Sequence, residues 1–356
     1  MLDRTSPGAE LALEPQLPCA GLAALGAGRS IAGDRSLGVR AYRTDDSSAV
    51  LALLRASFGR WPRGIETASE EEFFDWKHVR SPFGASRLLV AEAEGALVGF
   101  IGYMPWRLHA QSRTVTALRE VDLVVAAAQR RRGISIALRS ALTFSPDVAL
   151  LWGNPNAQSR PGALKLGQTQ LARASRFVRL VRPLQAARGL AGSPARPLRV
   201  EADAAALTLG DADVAQMRAL TASSSDRLTT VRDLAYLRWR YAQSSEYRAV
   251  GSAGDGGIAI FRCRRHGDAR VAHVCELLVE PHDALAASRL LRQVGDAADV
   301  DLLSCNFASA RAAARHGFVV YPRREVVMTR VLDETLAPDP TRAGSWDLSH
   351  GDIELL

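Results

Sequence analysis

One stretch of the chain combines main-chain and side-chain features that suit an anion. It reads V-A-A-A-Q-R-R-R-G-I-S over residues 125–135, between a predicted strand and a predicted helix. A turn that ends in glycine lets the main chain approach a ligand closely, and the first amide N–H groups of a helix have no partner within it. Three arginines add positive potential, so a phosphate or pyrophosphate is the expected occupant. The alternative is a solvated, arginine-rich turn that caps a helix and binds nothing.

The residues around this turn predict the elements that position it. Residues 115–125 predict a strand before the turn, and 133–144 predict a helix after it. A buried strand at 147–152 and a helix at 156–166 follow. Upstream, the pattern predicts a strand at 39–43, helices at 47–58 and 70–78, and a hairpin of 88–92 with 97–103. This order is mixed α/β, with antiparallel strands first and a β-α-β unit after them.

The second half of the chain repeats parts of the first. The pattern N-x2-S-x3-A-x-[KR]-x-G begins at Asn156 and again at Asn306. The tripeptide W-K-H at Trp76 likewise recurs as W-R-Y at Trp239, and both halves contain a hairpin after it. Matches in the same order predict two copies of one fold, of which the second is shorter.

The arginine-rich turn resembles the acyl-CoA signature of the GNAT (GCN5-related N-acetyltransferase) superfamily, V-x-P-x-x-[QR]-x-x-G-x-[GA]. Val125, Arg130 and Gly133 fall on its positions. Ala127 replaces the proline of the signature, and Ser135 replaces its last small residue.

A second element of the same family, N-x-x-[AS]-x-x-x-Y-x-[KR]-x-G-[FY], is similar to the segment that begins at Asn156. The matching residues are Asn156, Ser159, Lys165 and Gly167. Two departures affect the chemistry: Ala163 stands where many members have tyrosine, and Gln168 stands where an aromatic residue follows the glycine. The resemblance extends over residues 39–181.

The resemblance implies an acyl-CoA, with acetyl-CoA expected, bound in a wedge between two splayed parallel strands. Main-chain amides of the turn would hold its pyrophosphate, the preceding strand would bond its pantetheine arm, and one amide there would stabilise the oxyanion. The residues assigned to this co-substrate are Leu123, Val124, Val125, Arg130, Arg131, Arg132, Gly133, Ile134, Ser135, Asn156 and Ser159. The thioester is already activated, so an amine can attack it directly without a covalent acyl-enzyme.

Direct attack requires removal of a proton from the ammonium form of the acceptor, which suits a carboxylate with a raised pKa. Glu120 and Asp122 are the candidates, because they lie two residues apart on the strand before the turn and so are expected to share one face. A structural hydrogen-bonded pair is the alternative. In many family members a tyrosine protonates the leaving thiolate. Tyr103 could replace it here, or the thiolate leaves unaided.

Composition predicts the domain organisation. Residues 1–38 draw 19 positions from Ala, Gly, Pro and Ser, which predicts a disordered leader. Residues 182–200 contain three prolines and no acid, which predicts a linker. We therefore expect an N-terminal GNAT acyltransferase domain at 39–181, a degenerate GNAT-like domain at 201–333 and a tail at 334–356. Each domain is expected to hold a mixed, mostly antiparallel sheet flanked by helices.

The second copy lacks the anion site of the first. At the corresponding place the chain reads P-H-D-A-L-A-A-S from Pro281, without a glycine or a basic cluster. Catalysis is therefore expected in the first copy. The C-terminal tail either docks over the cleft or lies free.

Charge and cysteine content narrow the class of protein. The net charge is +7, and nearly all of the basic residues are arginines spread along the chain, so nucleic-acid binding is not expected as the main role. Four cysteines without a C-x-x-C pair, and no apolar run of membrane-spanning length, predict a cytoplasmic protein. Cys263, His266, His273 and Cys275 follow no common zinc spacing, so no metal is predicted.

These observations predict an acyl-CoA-dependent N-acyltransferase that acts on an amine of an unidentified small molecule, sugar or peptide. Two alternatives stay open. One is a non-catalytic sensor that binds acyl-CoA. The other is an aminoacyl-tRNA-dependent transferase of the tandem-GNAT type, which the net charge allows but the R-R-R-G-I-S turn disfavours.

Overall fold

The computed structural model describes residues 29–31, 34–59, 61–62, 69–171, 174–183, 226–242, 246–252, 256–266, 269–280, 283–307 and 309–353. Their strands are β1 (Arg29–Ile31), β2 (Asp34–Ala41), β3 (Arg87–Ala93), β4 (Ala96–Ala110), β5 (Arg113–Val125), β6 (Val148–Gly153), β7 (Thr169–Gln170), β8 (Ala174–Leu180), β9 (Thr229–Thr230), β10 (Tyr247–Ser252), β11 (Gly257–His266), β12 (Ala269–Val279), β13 (Leu302–Asn306), β14 (Val319–Glu325) and β15 (Met328–Val331). Their helices are α1 (Ser47–Phe58), α2 (Glu70–His78), α3 (Ile134–Ser140), α4 (Arg160–Lys165), α5 (Leu234–Leu237), α6 (Ala284–Ala297), α7 (Ala310–Arg315) and α8 (His350–Ile353).

The strands form two mixed sheets. The first has the order β1-β2-β3-β4-β5-β6-β15-β7, with β9 paired to β4, and its parallel pair is β5 with β6. The second has the order β10-β11-β12-β13-β8-β14, and its parallel pair is β12 with β13. The predicted α/β fold, with two mixed and mostly antiparallel sheets flanked by helices, is confirmed.

Each sheet contains a strand from the other half of the chain. Strand β8 of the first half lies between β13 and β14 in the second sheet, and β15 of the second half pairs with β6 in the first. Removing either half would therefore leave unpaired strand edges in the other, and such edges are costly. The division into domains at 39–181 and 201–333 stays a prediction.

The predicted leader is wrong at its C-terminal end. Residues Arg29–Ile31 and Asp34–Ala41 form strands, and β2 pairs with β3. Residues 1–28 lie outside the described residues, as do 184–225, which include most of the predicted linker.

Helix α2 begins with a capping box. The Ser69 hydroxyl accepts from the Glu72 amide, and the Glu72 carboxylate accepts from the Ser69 amide. Three acidic residues occupy its first turn, while Lys77 occupies its last, so both ends match the helix dipole. Its apolar face packs Phe73 and Phe74 against the first sheet.

The first sheet is covered on both faces. Phe100 and Trp106 of β4 belong to a large cluster with α1, α2 and the second half of the chain. Ile101 and Tyr103, which alternate with them, belong to a cluster with α3. Gly99 allows α3 to approach closely, since a Cβ there would lie 3.0 Å from Ile134 and 3.1 Å from Leu138.

Two tryptophans join the halves of the chain. The Trp76 and Trp239 rings stack with centroids 4.9 Å apart. Each indole N–H donates to the main-chain oxygen of the other residue, at 2.7 and 2.8 Å. The W-K-H and W-R-Y tripeptides singled out in the sequence therefore meet in space, although a full tandem repeat stays a prediction.

The C-terminal tail docks onto the protein. Leu228 pairs with Trp346, whose ring lies 5.8 Å from that of Trp152, and α8 packs against β12. The sequence left this choice open, and the structure decides it for residues up to Ile353.

We expect Trp239→Ala to lower the free energy of unfolding by about 3–5 kcal/mol, because it removes a buried ring and one of the two reciprocal hydrogen bonds. Urea denaturation followed by tryptophan fluorescence and circular dichroism measures this. The matched control is Leu285→Ala, at a side chain that is 82% exposed. Equal losses for the two variants would contradict a stabilising role for the tryptophan pair.

Candidate functional site

A cleft opens where β5 and β6 part. The two strands pair in parallel from Thr116 opposite Val148 to Glu120 opposite Gly153, and the pairing stops there. Strand β5 continues to Val125, so in the described part of the chain residues 121–125 have no strand partner on that side. Pro155 follows the end of β6 and has no N–H to extend the ladder.

A β-bulge turns this free part of β5. Val124 lies opposite Phe100 and Val121 lies opposite Gly102, so two residues of β5 face the single residue Ile101. One of the two, Asp122, has a positive φ of 53°. The bulge redirects the strand at the point where it leaves β6.

The arginine-rich turn follows directly. Arg131 and Gly133 both have positive φ, at 66° and 80°, and α3 begins at Ile134. A Cβ on Gly133 would meet no described atom within 4 Å, so this glycine is needed for its backbone angle and faces open space. The side chains of Arg130, Arg131 and Arg132 are exposed.

Local hydrogen bonds shape the turn. The Arg130 Nε donates to the Val125 carbonyl at 3.3 Å, and Arg132 donates to the Gln129 side chain. The buried side chains of Ile134 and Leu138 anchor α3 beneath. The structure thus brings the predicted strand end and the predicted turn together beside the cleft.

Asn156 and Ser159 lie on the opposite wall, after β6. The Asn156 side-chain oxygen accepts from the amides of Gln158 and Ser159, at 3.0 and 2.9 Å. Asn156 is exposed, and its contact with the co-substrate stays a prediction.

The expectation that Glu120 and Asp122 share one face is wrong. Glu120 lies on the α3 side, where Arg139 donates to its carboxylate at 2.5, 3.0 and 3.1 Å and Gln168 donates at 3.2 Å. Asp122 lies on the α2 side. The bulge at Asp122 breaks the alternation of the strand, which a period of two cannot predict.

Asp122 is held by two residues of α2. The Lys77 ammonium lies 2.7 Å from its carboxylate, and His78 Nε2 lies 3.1 Å away. Burial acts to raise the pKa of the Asp122 carboxyl, but the Lys77 charge and the His78 hydrogen bond outweigh it, so the pKa lies well below its usual range. Asp122 is therefore ionised at neutral pH.

His78 and Lys77 are completely enclosed. Burial lowers the pKa of His78, so its neutral ring donates from Nε2 to Asp122 and accepts at Nδ1 from the Ser86 hydroxyl, at 3.1 Å. Burial also lowers the pKa of Lys77, against the pull of Asp122. No local pattern in the sequence identifies this contact, because Lys77 and Asp122 lie 45 residues apart in the chain.

Tyr103 has no exposed surface and packs among the residues of the α3 cluster. Burial raises the pKa of its phenol well above the usual value. Its side chain therefore lies in the core of the domain.

The second sheet contains a comparable parting of strands, and residues of the C-terminal tail lie beside it. The β12–β13 pairing ends at His273 opposite Ser304. Beyond it lies a cavity of about 200 Å³, which Asp347 to His350 of the tail line together with Glu276 and Asn306. The turn over 281–282 lies outside the described residues, so its predicted lack of an anion site is not tested.

The candidate zinc ligands do not assemble in the described part of the chain. The Cys275 thiol contacts the His273 main-chain oxygen at 3.5 Å, and the His273 ring stacks on His350. No group of three potential ligands occurs among the described residues. No described helix is long and apolar enough to span a membrane.

Comparisons with known proteins agree with the resemblance seen in the sequence. Residues 38–143 match the acetyltransferase (GNAT) domain family. No curated protein matches the chain.

Solved structures resemble most of the fold. A GCN5-related N-acetyltransferase from Kribbella flavida aligns with a TM-score of 0.57 at 18% identity over 83% of this chain and 71% of that chain. One from Anabaena variabilis has a TM-score of 0.58 at 12% identity, over 83% and 72%. A probable N-acyltransferase from Enterococcus faecalis has a TM-score of 0.58 at 13% identity, over 83% and 73%. At these identities the likeness concerns the fold alone.

We expect Asp122→Asn to lower the free energy of unfolding at pH 7 by about 3–5 kcal/mol, because it leaves the buried Lys77 charge without its partner. The folded pKa of Asp122 is depressed, so its contribution is complete above the unfolded pKa of about 4 and decreases as the pH falls below it. Urea denaturation between pH 2.5 and 7 should show the difference between wild type and variant narrowing at the acid end.

The control for this prediction is Asp75→Asn, which removes an exposed carboxylate paired with Arg80. Its effect should stay below about 1 kcal/mol. A difference between wild type and Asp122→Asn that is constant with pH would contradict the proposed ionisation of Asp122.

Proposed function

We propose that this chain, whose residues 38–143 belong to the GNAT acetyltransferase superfamily, is an acyl-CoA-dependent N-acyltransferase with acetyl as its acyl group. The observation that carries the proposal is the parting of β5 from β6 after Glu120 and Gly153, beside an exposed turn of three arginines. The acceptor is an amine of a small molecule, sugar or peptide.

The residues around the cleft fit acyl-CoA. The free edge of Leu123 to Val125 offers main-chain donors and acceptors for the amides of a pantetheine arm, and unpaired groups of this kind need partners. Arg130, Arg131 and Arg132 supply positive charge for a diphosphate at the end of the same edge. When bound, acyl-CoA supplies an acyl group already activated as a thioester.

The protein's own residues then orient the reaction. The main-chain N–H groups at the bulge lie where β5 leaves β6, and there they can donate to an oxyanion as charge develops. The bulge is held by Lys77 and His78 through Asp122. A donor fixed before the reaction does not have to reorganise during it.

Proton removal is assigned to water in the cleft. The Glu120 carboxylate is occupied by hydrogen bonds from Arg139 and Gln168. The pKa of Asp122 is lowered by Lys77 and His78, which makes it a weak base. Tyr103 has no exposed surface from which to protonate a thiolate, so we propose that the thiolate leaves unaided.

The same contacts favour a second candidate, a protein that binds acyl-CoA without turning it over. In such a sensor the engaged carboxylates would serve structure only. An aminoacyl-tRNA-dependent transferase is the less favoured reading, because the compact turn suits one diphosphate better than a long polyanion. Steeply salt-dependent tRNA binding would reverse that order.

Turnover separates the enzyme from the sensor. We expect the purified chain to release free thiol from acetyl-CoA in the presence of a suitable amine from a panel of amino acids, amino sugars, polyamines and peptides. Thiol release followed with a chromogenic disulfide measures this, and mass spectrometry identifies the acylated product. Calorimetric binding of acetyl-CoA without turnover over the whole panel would favour the sensor.

We expect Gly133→Asp to weaken acetyl-CoA binding at least about tenfold, because it adds a carboxylate beside the proposed diphosphate and strains a residue with positive φ. Titration calorimetry with acetyl-CoA measures the affinity. Gly59→Asp is a matched control, since Gly59 has a φ of 76° and equally open surroundings but lies at the end of α1.

The control variant should keep its affinity for acetyl-CoA while suffering a similar loss of stability. Unchanged affinity in Gly133→Asp would overturn the assignment of the turn to the diphosphate. An equal loss of affinity in both variants would attribute the effect to backbone strain.

A further inference from the structure

Arg119 is a buried cation for which the described residues provide no anion. It lies on β5, one pair before the strands part, and is 2% exposed. Its guanidinium contacts two indoles, 5.1 Å from the Trp106 ring centroid and 4.6 Å from that of Trp152. Its Nη2 donates to the Asn154 side-chain oxygen at 3.2 Å and to the Ile353 carbonyl at 3.0 Å.

The other nitrogens of Arg119 have nothing to bond. Nε and Nη1 are buried without a hydrogen-bond partner in the described structure. Two further buried donors nearby, Trp152 Nε1 and Asn154 Nδ2, also lack an acceptor there. Leaving a buried donor unpaired is expensive, and more so when it is charged, so a set of them around one guanidinium indicates a missing acceptor group.

Neighbouring carboxylates are already committed to other cations. Asp352 accepts from Arg232 through Oδ2 at 2.5 Å, although its Oδ1 is buried without a described partner, and Glu276 accepts from the same guanidinium at 2.6 Å. Asp122 is held by Lys77. None of the described carboxylates lies within 4 Å of Arg119, and burial lowers its pKa to about 9.

Arg119 lies close to the cleft, on the opposite face of the first sheet from the arginine-rich turn. Its side chain lies on the face of the first sheet opposite α3 and the arginine-rich turn, in the cluster with Trp106 and Trp152. If the co-substrate enters from the turn, the acceptor has to reach the point of parting from another side. Asn154, half-buried at the end of β6, connects that point to Arg119.

We propose that Arg119, with Trp152 and Asn154, forms a subsite for a carboxylate of the acceptor, so that the substrate is an amine that also bears a carboxylate, as an amino acid does. The proposed function is needed to identify this ligand as the acceptor of the acyl group. A carboxylate matches the chemistry, since the unpaired nitrogens of Arg119, Trp152 and Asn154 are all donors. One unpaired cation balances a monoanion, whereas a phosphate dianion would add excess negative charge beside Asp352.

The test compares amines that differ only in the carboxylate, each amino acid beside its decarboxylated amine. With acetyl-CoA, the wild type should use the amino acids with a kcat/KM at least about tenfold higher. Arg119→Gln should remove that preference by lowering kcat/KM for the amino acids and leaving kcat/KM for the amines unchanged. The KM for acetyl-CoA should also stay unchanged. Arg113→Gln, which removes an exposed cation paired with Asp333, should behave like the wild type.

A binding measurement keeps the subsite testable without turnover. Propionate should raise the melting temperature of the wild type, whereas neutral propionamide and inorganic phosphate should not, and Arg119→Gln should respond to none of the three. If propionate acts in this way but no amine is acylated, the subsite stands and the proposed transferase function fails.

Three outcomes would overturn the subsite. The first is acylation without preference for the carboxylate. The second is an equal response of wild type and Arg119→Gln to propionate. Glu354 follows Ile353 in the sequence and lies outside the described residues. The third outcome is a propionate response that the wild type lacks and that Glu354→Gln shows, which would mean that the chain's own carboxylate pairs with Arg119.

Discussion

The structure depends on one constraint, which is that β5 cannot pair with β6 beyond Glu120. Two features enforce it: a bulge with Asp122 in a left-handed conformation on one strand, and Pro155 just after the other. Such a conformation is unfavourable for aspartate, so it persists only because surrounding contacts hold it. Lys77 and His78 supply those contacts from the last turn of α2, a helix fixed by its own capping box. The bulge at the free strand edge is thus held in place by buried charged groups.

The two halves of the chain are not independent bodies. Each sheet contains a strand from the other half of the chain. The two halves are also joined by Trp76 and Trp239, because each indole N–H donates to the main-chain oxygen of the other residue. The tail adds a third connection. It lines the cavity beyond the β12–β13 pairing, and its last described carbonyl accepts a hydrogen bond from Arg119 beside the cleft of the first sheet. The second sheet therefore supports the first, and the wall opposite α3 contains residues from more than 200 positions away.

Buried cations are a recurring device in this molecule. Lys77, Arg139 and Arg232 are enclosed, and each is matched to a carboxylate that the same fold buries. A buried pair is costly to break because the remaining charge has no solvent. Arg119 departs from this pattern, and it does so at the point where the strands part. Several of the arginines that give the chain its net positive charge are buried. The surface charge available to bind a polyanion is therefore smaller than the composition suggests.

The sequence by itself determined the α/β class, most element positions and the arginine-rich turn. These depend on local patterns: the periodicity of apolar residues, caps, and a glycine that takes a positive φ at 133. It could not place Glu120 and Asp122 on opposite faces, because a bulge changes the alternation without leaving a pattern of its own. It could not show that Lys77 is buried, that β8 and β15 exchange sheets, or that the tail docks. Those are decided by contacts between residues far apart in the chain, where the free energy of burying a charge or pairing a strand edge depends on which partner the completed fold delivers.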